Sequence, residues 1–133
     1  MPFRRIKQKF LFRLAFYSAF GLLTFGLWAG ESVRMLVQNS PLAGSQFYAL
    51  EKLLPQMQEG DALSLQREPD NKHDHNAVLV LWRGEKLGYL PRRENKSVAA
   101  AMDQGEKVHG RILRLRADPN PWKQLEIQIF LEL

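Results

Sequence analysis

The run "REPDNKHDHNAVLVLW", residues 67–82, gathers most of the side chains in this sequence that could do chemistry. His73-Asp74-His75 invites a metal, because alternate residues of an extended segment share a face and would bring the two imidazoles together. Zinc takes three or four protein ligands. His109 is the third and last histidine and there is no cysteine, so the set falls short, and two loop histidines are the expected outcome. A metal-dependent nuclease built on His73, Asp74 and His75 is the form an enzyme would take here. Other chemistries lack a frame. Ser64 and Ser97 lie in no G-x-S-x-G, the turn that exposes a nucleophilic serine. Neither a P-loop nor G-x-G-x-x-G occurs, so nothing cradles a nucleotide phosphate. Glu68 and Asp70 are too ordinary a carboxylate pair to count. The chain therefore reads as a non-enzyme with no cofactor and no metal.

The same run makes better sense as a shaped loop. Asp74 and Asn76 stand at the foot of an apolar segment, where a short polar side chain can bond nearby backbone and hold a loop in one form. One strand later comes "GEKLGYLPRR", residues 84–93. Gly88 would let a neighbouring backbone approach, Tyr89 offers a ring, and Pro91 is expected to start a helix with Arg92 and Arg93 in its first turn. Bases there oppose the helix dipole. They fit if an anion is held by free N–H groups and the two guanidiniums.

Elements must position these groups. Alternation and helical spacing predict strands at 32–38, 62–68, 76–82, 87–91, 107–117 and 123–133. Helices are predicted at 47–57, cut short by Pro55, and at 92–105, ended by Gly105. Residues 76–82 are apolar on both faces, as in a central strand. Leu125, Ile127, Ile129, Leu131 and Leu133 should face one way, and Gly110 suggests a bulge. The fold class is mainly β with two helices, a small OB-like β-barrel preceded by an N-terminal hydrophobic helix.

Charge divides the chain. The net charge is +5, but Arg4, Arg5, Lys7, Lys9 and Arg13 precede every acid; the other 14 of the 19 bases match the 14 acids. The body is formally neutral. Between the basic flank, residues 1–13, and the body at 34–133 lies an uncharged apolar run, Leu14 to Gly30. It is just long enough for a membrane span, which needs roughly 17–25 residues. Bulky Leu27 or Trp28 would stand three residues before a cut at Ala29 or Gly30, which disfavours a cleaved signal segment. The flanking bases place the N-terminus in the cytoplasm at the inner membrane, with the soluble domain outside it. Export after cleavage near Ala29 or Gly30 is the alternative.

"LQREPDNKHDHNAVLVL", "GEKLGYLPRR", a small-residue helix and two long strands together resemble the HIRAN domain family over residues 34–133. The resemblance implies an OB-like barrel with inserted helices that binds the free 3′ end of single-stranded DNA. By position it implies that Gln46 and Phe47 line a pocket, with His73 and Asp74 meeting the terminal nucleotide. It makes Asn76 a shaping residue, and Tyr89 and Arg92 groups that face base and phosphate, with Arg93 beside them. There are departures. Gln46 stands where an arginine binds phosphate, His73 replaces a tyrosine, and Phe47 lacks a hydroxyl. Two functions follow as expectations: a nucleic-acid-binding module for single-stranded DNA ends, tethered to or exported through a membrane; or an extracytoplasmic ligand- or protein-interaction domain that keeps the fold without DNA binding.

Overall fold

The computed structural model describes residues 32–133. The basic flank at 1–13 and the apolar run at 14–30 lie outside the described residues. Among the described residues no helix is long and apolar enough to cross a membrane.

Six strands carry the body: β1 Arg34–Pro41, β2 Ala62–Arg67, β3 Val78–Trp82, β4 Glu85–Tyr89, β5 Val108–Leu115 and β6 Leu125–Glu132. The helices are α1, Leu50–Leu53, and α2, Lys96–Asp103, with short 3-10 turns at Ser45–Phe47, Leu54–Gln56 and Pro121–Lys123. The strands form one sheet in the order β1-β6-β5-β2-β3-β4, every neighbouring pair antiparallel. The barrel expected from sequence is therefore not closed, since no ladder joins β1 to β4. The approach between these ends is one residue pair: Ala43, just past β1, exchanges both backbone bonds with Tyr89, at 2.8 and 2.9 Å.

Gly88 makes that approach possible. Its φ is +151°, and a Cβ there would lie 2.5 Å from the Ala43 carbonyl oxygen. The close neighbour expected of this glycine is thus a specific one. Gly110 differs from expectation. It pairs in regular register with Leu63 and Ile129, and the β5 irregularity falls between Ile112 and Arg114. Gly110 is small because Leu63 packs on it; a Cβ would meet Leu63 Cβ at 3.1 Å.

β3 is the central strand its composition implied, with Val78, Leu79, Val80 and Trp82 buried. Together with Leu42, Leu50, Leu87, Leu90, Val98, Ile112 and the buried β6 row they form one core. Each fully buried aliphatic side chain contributes about 1.5–3 kcal/mol. The β3–β4 hairpin turns on Arg83 and Gly84, both at positive φ, 47° and 81°. Positive φ at both central residues matches the right-handed twist of the strands they join.

Several boundaries depart from the sequence reading; β4 runs Glu85–Tyr89, two residues earlier than the expected 87–91. β1 runs on to Pro41, past the turn-rich composition at 39–41, because a bulge between Leu36 and Gln38 keeps it in register with β6. The first helix is a single α-turn followed by a 3-10 turn containing Pro55. The second helix begins at Lys96, not at Arg92: residues 91–94 are a turn closed by Glu94 N–H to Pro91 C=O at 2.9 Å, with Asn95 at the cap position.

Candidate nucleic-acid interface

The polar loop between β2 and β3 is held by its own side chains. Asn71 Oδ1 accepts the backbone N–H of His73 (2.9 Å) and of Asp74 (3.2 Å), and Asn71 Nδ2 donates to Glu68 Oε1 (3.1 Å). Asp74 Oδ1 accepts the Asn76 N–H at 2.9 Å, and Asp74 Oδ2 accepts Asn95 Nδ2 at 2.6 Å. Short polar residues bonding backbone two or three positions on are the means by which a loop fixes its shape. Asp74 thus has the shaping role expected of it. Asn76 is pinned through its backbone N–H, and the second shaping side chain is Asn71.

Two outer ties fix the loop to the body. Tyr89 OH donates to Glu68 Oε1 at 2.7 Å. Arg67, at the end of β2, donates to the Ala77 carbonyl (2.8 Å) and the His75 carbonyl (3.1 Å), and forks onto Asp103 at 2.9 and 3.1 Å. That fork lets α2 brace the loop from its C-terminal end while Asn95 does so from its N-terminal end. Neither Arg67 nor Asn71 was singled out from sequence, although both lie in the quoted run.

A continuous chain of hydrogen bonds therefore leads from Tyr89 through Glu68, Asn71 and Asp74 to Asn95, next to Arg92 and Arg93. The Tyr48 ring meets Tyr89 edge-on, centroids 6.1 Å apart at 61°. Burial foremost, then the bond to Glu68 and the neighbouring Tyr48, push the Tyr89 phenol well above its ordinary pKa. A carboxylate can only accept, so Tyr89 must stay protonated to donate to Glu68. Asn95 is buried, and its Oδ1 has no partner. An unsatisfied buried acceptor costs about 1–3 kcal/mol, so Asn95 is held there by its bond to Asp74 and by its place ahead of α2.

Gln46 and Phe47 lie on the Ser45–Phe47 turn, both exposed, Phe47 at 79%. The helix expected from residue 47 begins only at Leu50, so Phe47 precedes it. His73 and His75 are exposed, and no group of three or more metal-ligating side chains occurs among the described residues. His109 sits apart, paired with Glu132 across β5 and β6. Arg92 and Arg93 are exposed in the turn before the Asn95 cap, so the helix-dipole argument made for them fails: they precede the helix. Arg93 lines a depression of about 260 Å³ with Gln38, Asn39, Glu94, Lys96 and Ser97.

Composition at "RLRADPNPWK", residues 114–123, carries a further signal, bases interleaved with an aromatic. Arg114, Arg116, Trp122 and Lys123 line a depression of about 370 Å³ with Asp118 and Glu126 among them. Trp122 is 49% exposed, and its turn packs beside the turn that carries Phe47.

An open antiparallel sheet of OB-like form, with an aromatic and polar rim at one loop cluster, defines a small β module with a surface for a flat or extended ligand. Residues 35–133 match the HIRAN domain family, and the chain belongs to that family. It is 33% identical over 91 residues to the Fanconi-associated nuclease 1 homolog of Oryza sativa subsp. japonica, an alignment covering 65% of this chain and 9% of that relative. Its structure is similar to that of a protein from Lactobacillus plantarum, with TM-score 0.67 and 28% identity over 77% of this chain and 98% of that one. It is also similar to the HIRAN domain of human HLTF, with TM-score 0.53 and 18% identity over 74% and 77% of the two chains.

Proposed function

We propose that the domain is a non-enzymatic nucleic-acid-binding module that takes the 3′ end of single-stranded DNA at the rim formed by Phe47, His73, Asp74, Tyr89 and Arg92. The observation that carries this reading is the bond network that holds Asp74 in place, linking it through Asn71 and Glu68 to Tyr89 and directly to Asn95, two residues past Arg93. Each Asp74 oxygen already accepts one bond, and a carboxylate has about four acceptor positions, so capacity remains for a ligand hydroxyl. Exposed rings supply stacking worth about 1–3 kcal/mol per base. The nuclease relative supports a nucleic-acid partner, but with this chain covering 9% of its length its cleavage activity is not carried over.

The test is fluorescence anisotropy of residues 32–133 with 5′-labelled single strands whose 3′ end is free or phosphate-blocked, at low salt. The free end should bind at least tenfold tighter, and Asp74→Ala should erase the difference. No binding at low salt, or indifference to the 3′ end and to Asp74, overturns the reading in favour of a domain that binds some other ligand or a protein.

The apolar run at 14–30 we assign to a membrane anchor with the domain outside the cytoplasm. A reporter that works only outside the cytoplasm, fused after Leu133, should be active; activity confined to a cytoplasmic reporter overturns that topology.

A further inference from the structure

Residues two apart on a strand share a face, so Leu125, Ile127, Ile129, Leu131 and Leu133 form one row of β6. The first three are buried to 1% or less, while Leu133 is 75% exposed. Register extends the row sideways. Met35 and Val108 both lie opposite Leu131, and Leu133 N–H donates to the Val33 carbonyl at 2.8 Å. Val33 is 65% and Met35 49% exposed. The core-facing side of the sheet thus continues as an open apolar shelf beyond the part that α2 covers. Beside it, a depression of about 330 Å³ is lined by Val37, Val98, Ala101, Val108, Ile129 and Leu131. Single exposed apolar residues need no explanation; a contiguous shelf opening into the core does.

The chain itself indicates what lies against it. The apolar run ends at Gly30, and Val33 follows three residues later. At roughly 3.5 Å per residue, the connection from Gly30 to Val33 can reach no further than about 10 Å. An element bound at a bilayer interface buries its apolar face about 5–10 Å into the headgroup and acyl boundary. Exposed Arg34 and Lys107 alternate with the row and so stand on the opposite face of the sheet, beside Glu132, which leaves the side chains of the shelf itself all apolar.

We propose that this shelf, Val33, Met35, Leu131 and Leu133, docks on the lipid surface, so that the domain lies against the bilayer instead of swinging from a tether. The proposal rests on the anchor reading of residues 14–30 and is separable from DNA binding.

The full chain has no cysteine, so single sites can be labelled. Met35→Cys, Leu133→Cys and, at the opposite end of the strands, Glu85→Cys would each carry an environment-sensitive fluorophore. The full chain is reconstituted in vesicles of phosphatidylcholine and phosphatidylglycerol containing a shallow spin-labelled lipid. Labels at 35 and 133 should be quenched severalfold more than the label at 85. Equal quenching in chain that floats with the vesicles overturns the docking and leaves the anchor standing; chain that does not float overturns both. A label at 35 that is shielded from water but unquenched by lipid means that residues 14–30 cover the shelf. Disulfide formation between two Met35→Cys chains means that a second copy does. Either result overturns the proposal.

Discussion

Tyr89 serves two neighbours at once, its hydroxyl bound to Glu68 and its ring against Tyr48. Its phenol is held protonated, with a folded pKa above the unfolded one. A raised folded value contributes stability that is complete below the unfolded tyrosine pKa, about 10, and lost as pH rises through the folded value. In an alkaline titration of residues 32–133, Tyr89 phenolate absorbance should therefore appear only with unfolding; in Tyr89→Phe that late rise should vanish. Asp103 is the opposite case: its hydrogen bond to Arg67 lowers its pKa. That contribution is present above the unfolded aspartate value and fades as pH falls through the folded one. Melting curves of Asp103→Asn and the parent should differ at neutral pH and converge in acid. Asp74 and Asn71 separate shape from contact. Asn71→Ala should weaken DNA binding a few fold by loosening the loop, whereas Asp74→Ala should lose end discrimination altogether; equal losses would mean that Asp74 acts only as a brace. Asp74 was legible in the sequence because an acid before a buried strand has few other uses. Asn71 was not, because its partners are set by how the loop folds back, which spacing does not reveal.

Among elements, period-two alternation located β2 and β6, which each bury one face, and an apolar run on both faces located β3, which buries nearly both. What it missed were ends decided by tertiary partners. β1 continues through Asn39, Ser40 and Pro41 because β6 is there to pair with them. Helix α2 starts late because Asn95 is committed to Asp74, and Pro91 closes a turn before it instead of opening the helix. Gly88 was legible as a site of close approach, though not the identity of its neighbour. Gly88→Ala should be among the most damaging small changes. It places a Cβ against the Ala43 carbonyl at a φ that L residues avoid, costing about 3 kcal/mol. For a domain of this size that lowers the melting temperature by on the order of 10 °C or more. A variant that melts with the parent would show that the contact with Ala43 relaxes without cost.

Over the whole molecule, formal charge concentrates in the first 13 residues and leaves the body balanced. If the body binds single strands, two exposed arginines set its phosphate contacts, and the slope of log affinity against log salt should be shallow, roughly −1 to −2 at about 0.7 per phosphate. A steep slope would require a longer basic track, for which Arg114, Arg116 and Lys123 are placed beside Trp122. The single Ala43–Tyr89 pair has a separate consequence. With no ladder to part, the sheet can breathe along a seam held by two backbone bonds. Residue 89 lies on that seam through its main chain and on the rim through its hydroxyl. Amide hydrogen exchange at positions 43 and 89 should therefore be faster than within β3, and should slow together when the rim is occupied, so that a ligand at the loop acts as a latch for the sheet.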